Sequence, residues 1–312
     1  MNKVLFGDCR ETLKTIDVKA RMCVTSPPYY GLRDYGGEKN QIGQEDTPEE
    51  FINNLVDVFR SVRDVLTDDG TLWVNIGDSY YNYRPGKGQA LVKQTLSSTE
   101  RDQPQDCPRR GNKLEGLKEK DLIGIPWMFA FALRADGWYL RQDIIWHKPN
   151  PMPESVRDRC TKSHEYLFLL SKNRKYYYDN EAIKEPVKQD WGTRDRSQGK
   201  YHNEGTGLQP HSGLEKSYTK RNKRSVWSIT NKPYKGAHFA VFPPDLIEPC
   251  ILAGSEQGDV VLDPFMGSGT TAMVAKKYNR NYIGCELHED YASLQTDRID
   301  SIPTPLPAII WK

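Results

Sequence analysis

Residues 259–271 read Asp-Val-Val-Leu-Asp-Pro-Phe-Met-Gly-Ser-Gly-Thr-Thr, a short apolar run followed by a glycine-rich turn. The apolar run predicts a buried strand that ends at Asp263, and the pattern after the turn predicts a helix from about Thr270. The glycines let the backbone approach a ligand closely, and the free N–H groups of the helix start favour an anionic group. Many α/β proteins use such a turn for packing alone, so it indicates a ligand site only together with other residues.

A second candidate ligand-binding residue is Glu286, which ends the next predicted strand, 282–286. An acidic side chain at that place can accept hydrogen bonds from both hydroxyls of a ribose, as in dinucleotide-binding folds. The alternative is a solvated charge beside the N-terminus of the following helix. Together with the glycine-rich turn, Glu286 favours a ligand that carries an adenosine.

In the rest of the chain strands alternate with helices, which predicts an α/β fold with a mostly parallel sheet covered on both faces. A capped helix is predicted to follow Thr47 and to end at Asp69-Gly70, and an antiparallel strand pair is predicted at 139–147 and 165–171. Ligands of such sheets bind beyond the carboxyl ends of the strands. Candidate functional groups end four of the predicted strands: Asp8, Ser26-Pro27-Pro28-Tyr29, Asp263-Pro264-Phe265 and Glu286.

Composition narrows the class of protein. The 312 residues suffice for one large domain or a catalytic domain with an appendage. Six scattered cysteines without a C-x-x-C pair suggest neither a disulfide framework nor a zinc site. We expect a soluble, cytoplasmic protein without membrane contact, because no signal peptide or long apolar segment is present. The net charge is only +2, but residues 171–235 carry 15 Lys and Arg against 7 Asp and Glu.

The stretch Val24-Thr25-Ser26-Pro27-Pro28-Tyr29-Tyr30 is the most informative motif. It could be a plain strand end, or a Pro-Pro-x-Tyr ligand of a WW domain, which would need an exposed, extended peptide. A catalytic role has a definite mechanism. The exocyclic amine of a base is a poor nucleophile, and two acceptors aimed at its N–H bonds favour the pyramidal nitrogen that attacks a sulfonium methyl group.

In that mechanism the acceptors are the Ser26 hydroxyl and the Pro27 carbonyl, which the fixed φ of Pro27 and Pro28 would hold in place. Tyr29 would stack on a base rotated out of the duplex. The chemistry requires neither a metal nor a covalent intermediate.

With both motifs in this order, the chain resembles the DNA amino-methyltransferases that modify N4 of cytosine or N6 of adenine, in the β arrangement. The resemblance covers roughly 1–80, 120–175 and 225–300. It implies a Rossmann-like, doubly wound, seven-stranded sheet, S-adenosylmethionine as cofactor and double-stranded DNA as substrate. Ser26, Pro27, Pro28 and Tyr29 would be catalytic. The implied cofactor-binding residues are Asp8, Asp263, Pro264, Phe265, Gly267, Ser268, Gly269, Thr270 and Glu286.

The resemblance also divides the chain. Residues 1–175 would form the catalytic half, with a mobile loop at 80–119, and residues 236–312 the cofactor-binding half. The basic stretch 176–235 would be a target-recognition region, with Tyr201, Trp227 and Tyr234 among its cations. A solvated basic loop is the alternative. A cognate restriction endonuclease could accompany the protein.

With serine rather than aspartate at the head of the catalytic tetrapeptide, the chain resembles the cytosine-N4 enzymes more than the adenine-N6 enzymes. The resemblance therefore favours N4 of cytosine, and N6 of adenine is the alternative, because the chemistry alone does not decide between them. Methylation at cytosine C5 would need a nucleophilic cysteine. The only Pro-Cys pair, Pro249-Cys250, lies in a predicted helix just ahead of the glycine-rich turn, which argues against that chemistry. RNA or protein amides as substrates, and a non-catalytic DNA-binding module, are further alternatives. An intact Ser26–Tyr29 motif together with Glu286 argues against the non-catalytic module.

Overall fold

A computed structural model of the chain describes residues 2–31, 41–81, 114–187, 219–231 and 242–303. In chain order the strands and helices are β1 (Lys3–Phe6), α1 (Cys9–Thr12), β2 (Ala20–Thr25), α2 (Pro48–Val65), β3 (Leu66–Ile76), α3 (Ile125–Ala135), β4 (Tyr139–His147), β5 (His164–Ser171), β6 (Glu185–Pro186), β7 (Lys220–Arg221), β8 (Val226–Ser228), α4 (Pro244–Gly254), β9 (Val260–Asp263), α5 (Thr270–Lys277), β10 (Asn281–Glu286) and α6 (Ala292–Asp300).

One sheet dominates the fold, with the strand order β1-β10-β9-β2-β3-β5-β4-β8. Its first five strands are all parallel, and β5 then pairs antiparallel with both β3 and β4. The predicted fold class, a Rossmann-like and mostly parallel sheet with an antiparallel strand pair, is confirmed.

The described sheet has eight strands, whereas seven were expected. The additional strand is β8, which lies within the basic stretch 176–235 and pairs parallel with the edge of β4. Its three residues are too few to produce a periodic signal in the sequence, and their pairing with β4 spans about 80 residues of chain. Part of the basic stretch therefore belongs to the sheet.

The start of helix α2 is determined by its local sequence. The Thr47 hydroxyl accepts a hydrogen bond from the Glu50 N–H at 3.2 Å, and Pro48 occupies the first turn, so the predicted helix start is confirmed. The predicted end at Asp69-Gly70 is wrong. The helix ends at Val65, because Leu66 is extended and already begins β3.

The helices form two layers, one on each face of the sheet. Apolar side chains of α2 and α3 pack into one core, and those of α4, α5 and α6 into the other. Within the described ranges, no helix has both the length and the apolar character needed to cross a bilayer.

The site is positioned at the junction of β9 and β2, which are adjacent and parallel. The sheet continues beyond β9 with β10 and β1, and beyond β2 with β3. Loops that leave two adjacent parallel strands for opposite sides of the sheet open a crevice between them. The glycine-rich turn leaves β9 and the Ser26–Tyr29 motif leaves β2.

Candidate active site

A cavity of about 630 Å³ lies at the carboxyl ends of the parallel strands. Its volume is in the range typical of sites that enclose a small molecule. Eleven of the thirteen predicted site residues line it: Asp8, Ser26, Pro27, Pro28, Tyr29, Pro264, Phe265, Gly267, Ser268, Thr270 and Glu286. The structure therefore brings together two motifs that lie far apart in the sequence. Asp263 and Gly269 are the two predicted residues outside the cavity wall.

Asp263 occupies the junction itself and is almost completely buried. Its carboxylate accepts hydrogen bonds from the Thr25 hydroxyl at 2.6 Å, the Thr271 hydroxyl at 2.5 Å and the Phe265 N–H at 3.0 Å. Burial raises the pKa of the Asp263 carboxyl to about 6, although these hydrogen bonds act to lower it. Asp263 thus joins the strand before Ser26 to the start of α5.

Glu286 faces the cavity from the end of β10. One carboxylate oxygen accepts a hydrogen bond from the Gly267 N–H at 2.7 Å, and the other accepts one from the His288 N–H at 3.1 Å. Each carboxylate oxygen has two lone pairs, so acceptor capacity remains on the cavity side. Burial raises the pKa of Glu286 to about 7, although backbone N–H groups that donate to the carboxylate act to lower it.

The glycine-rich turn is also held from its outer side by α6. The Gln295 amide donates to the Gly267 carbonyl at 2.7 Å, and the Arg298 guanidinium donates to the Ser268 hydroxyl at 2.6 Å. Gly269 caps α5 with a left-handed φ of +80°, a conformation that favours glycine. Gln295 and Arg298 were not predicted from the sequence, because α6 carries no distinctive motif.

Asp8 lies in the cavity wall, but its carboxylate is already engaged. The Arg10 guanidinium and backbone N–H donate to it at distances from 2.5 to 3.0 Å. Burial would raise the pKa of Asp8, but these hydrogen bonds and the charge of Arg10 outweigh it and lower the pKa. Asp8 is therefore an ionised acceptor beside the cavity.

The Ser26–Tyr29 motif is part of the folded interior. Among the residues that the structure describes, none hydrogen-bonds the Ser26 hydroxyl, so its lone pairs are available to a ligand in the cavity. Pro27 is buried, and Tyr30 is 1% exposed and packs against Phe51. A WW domain needs an accessible peptide, so the alternative of a Pro-Pro-x-Tyr ligand is excluded.

The Tyr29 side chain is fixed by residues that sequence analysis did not identify. Its hydroxyl donates to Glu165 at 2.7 Å, and the Asn75 amide donates to the same carboxylate oxygen at 3.2 Å. Lys148 forms an ion pair with the other oxygen of Glu165. A side chain at Gly77 would lie 2.5 Å from the Tyr29 ring, so only glycine leaves room for the ring there.

The structure also rules out one alternative chemistry and one expected contact with DNA. Cys250 is completely buried in α4, where burial raises the pKa of its thiol, and it does not line the cavity. Cytosine C5 chemistry through Cys250 is therefore excluded. Trp227 is 6% exposed and its indole N–H donates to the Arg224 carbonyl at 2.7 Å, so it is unavailable for stacking on DNA. Tyr201 and Tyr234 lie outside the described residues.

Comparisons with known proteins agree with this geometry. A family model described as "DNA methylase" matches residues 20–297. The chain is 48% identical over 298 residues to the Type II methyltransferase M.SmaI of Serratia marcescens, a match that covers 95% of this chain and 90% of that protein.

Solved structures share the fold. The PvuII DNA methyltransferase, described as cytosine-N4-specific, is 18% identical with a TM-score of 0.61, covering 100% of this chain and 89% of that one. A Thermus thermophilus protein solved with S-adenosyl-L-methionine, described as a putative DNA modification methylase, is 24% identical with a TM-score of 0.57, covering 97% of this chain and 95% of that one.

Proposed function

Because the chain belongs to the DNA methylase family of N6 and N4 methyltransferases, we propose that it transfers a methyl group from S-adenosylmethionine to N4 of cytosine in duplex DNA. One observation carries the proposal. The same cavity is lined by Ser26 and Tyr29 and by Gly267 and Glu286. An amine acceptor and a cofactor can therefore meet there.

The residues present suit S-adenosylmethionine. Glu286 offers carboxylate lone pairs to ribose hydroxyls, Phe265 offers an apolar surface, and the N-terminus of α5 after Gly267 offers N–H groups to a carboxylate. Asp8 is an ionised acceptor suited to the amino group of an adenine. When bound, the cofactor supplies an electrophilic methyl group on a sulfonium.

The chain's own contribution is to orient and activate the amine. The Ser26 hydroxyl and the Pro27 carbonyl accept the two amino hydrogens, which reduces delocalisation of the nitrogen lone pair into the base. Tyr29, immobilised by Glu165 and Gly77, presents a fixed ring to a base that has left the duplex. The fixed acceptors need no reorganisation during the reaction.

The choice of base is tested by mass spectrometry of nucleosides from DNA methylated by the purified protein. We expect N4-methylcytosine, because the tetrapeptide begins with serine rather than aspartate and in this resembles the cytosine-N4 enzymes. N6-methyladenine in its place would assign the adenine reaction to the same site. Absence of both products would contradict the proposed function.

The proposed function extends to the DNA substrate, a partner enzyme and the basic stretch of the chain. The target is double-stranded DNA, as expected for a relative of Type II methyltransferases, and a cognate endonuclease recognises the same sequence. Residues 176–235 form the target-recognition region, with the halves 1–175 and 236–312 around it. Lys220, Arg221 and Arg224 are cations of this region that the structure describes, and Arg221 and Arg224 are both held by Glu185.

Glu286 predicts a pH dependence of cofactor binding. Because the pKa of the free Glu286 carboxyl is about 7, raising the pH through that value ionises it and restores an acceptor for the ribose. We expect the dissociation constant of S-adenosylmethionine to be about three- to tenfold higher at about pH 6 than at about pH 8. Isothermal titration calorimetry at both pH values measures it.

Glu286→Gln is the matched control, because the amide does not titrate. Its binding should be weaker than that of wild type at about pH 8 and should change less with pH. Equal pH dependence in both proteins would mean that another group, such as the amine of the cofactor, is responsible.

A further inference from the structure

Met152 is the most exposed of the large apolar side chains that the structure describes, at 83%. It also lines the cavity that holds Ser26 and Tyr29. A scattered apolar side chain on a surface is ordinary, but this one stands at the opening of the active site. Its position therefore calls for a functional explanation.

The segment that carries Met152, residues 148–163, is firmly attached to the rest of the fold. Its two ends are joined where the Lys148 N–H donates to the Ser163 carbonyl at 2.7 Å. The Asn150 amide donates to the Asn231 carbonyl at 3.1 Å, and the Asn231 N–H donates back to the Asn150 side chain at 2.9 Å.

A second attachment lies on the other side of Met152. The Arg159 guanidinium donates to the Glu154 carboxylate at 2.6 Å and lies 4.0 Å from the centre of the Tyr80 ring. Glu154 itself lines the cavity. Met152 is thus held between two anchored points rather than at the end of a free loop.

The backbone at Met152 is stiff as well. Pro151 and Pro153 flank it, and each fixes its own φ and restricts the preceding residue to extended conformations. Neither proline has an N–H that would need a partner when water is displaced. A stiff apolar tip between two residues that lack an N–H suits insertion between stacked bases, a use that several DNA-bending proteins make of methionine and proline.

We propose that Met152 enters the base stack of the DNA duplex and fills the space that the target base leaves when it moves into the cavity. The proposal rests on the proposed function, because it requires a base that is rotated out of a duplex. The flexible, polarizable thioether can fill an irregular gap and contact the bases on either side of it. The same contact slows the return of the base.

The test compares Met152→Ala with wild type on two substrates that contain the site mapped by sequencing of methylated DNA. In one the target base is normally paired, and in the other it faces an abasic position, so that less energy is needed to unstack it. We expect Met152→Ala to lower kcat/KM about tenfold on paired DNA and less than about twofold on the second substrate. Fluorescence of 2-aminopurine at the target position should fall in parallel on paired DNA.

Two variants serve as controls. Met152→Leu should retain most of the activity, because it preserves apolar volume, and Phe131→Ala should behave as wild type, because Phe131 is an exposed apolar residue of α3 outside both the cavity wall and the basic stretch. An equal loss on both substrates, or no loss, would overturn the proposal while leaving the methyltransferase function intact. A wild-type protein that methylates neither substrate would instead refute the function itself.

Discussion

Replacing Ser26 by alanine is expected to lower kcat about 100- to 1000-fold while the dissociation constant of S-adenosylmethionine stays within about twofold. The variant removes one of the two acceptors that favour the pyramidal amine. It leaves the Glu286 side of the cavity unchanged, because no described residue depends on the Ser26 hydroxyl for a hydrogen bond. Single-turnover rates and calorimetric titration measure the two quantities.

Ser61→Ala provides the matched control, since Ser61 lies on α2 and bonds only within its own helix in the described part of the chain. It should change neither the rate nor cofactor affinity. If Ser26→Ala weakened cofactor binding as much as it slowed methyl transfer, the division of the cavity into an acceptor side and a cofactor side would be wrong.

Asp263→Ala is expected to lower the free energy of unfolding by about 2 to 4 kcal/mol. The substitution leaves the Thr25 and Thr271 hydroxyls and the Phe265 N–H without their acceptor in a buried position. It also releases the connection between β2 and the start of α5, so methyl transfer should slow. Urea denaturation measures the stability, and a methylation assay under folded conditions measures the rate.

Asp263→Asn separates this role from direct cofactor contact. The amide keeps an acceptor for Thr25 and can donate to the Thr271 oxygen, so we expect a loss below about 1 kcal/mol. Asp57→Ala, which removes only an exposed ion pair with Arg60, should have little effect. An Asp263→Ala protein with wild-type stability but no cofactor binding would show that Asp263 contacts the cofactor directly, as the family resemblance implies.

The fold class and the two motifs could be predicted from the amino-acid sequence, because both are encoded locally. Apolar runs that end in Asp263 and Glu286 specify strands, and Thr47-Pro48 specifies the start of α2. Parallel strands place their carboxyl ends at one edge of a sheet, so Ser26 and Gly267 were expected to meet there, and they do.

How the side chains of the site are held became visible only in the folded chain. Asp263 joins β2 to α5, and Tyr29 depends on Glu165 and Gly77. The exposed position of Met152 beside the cavity is a second example. These contacts link residues far apart in the chain. Neither residue type nor periodicity encodes which distant side chain completes a hydrogen bond, or which apolar side chain stays exposed.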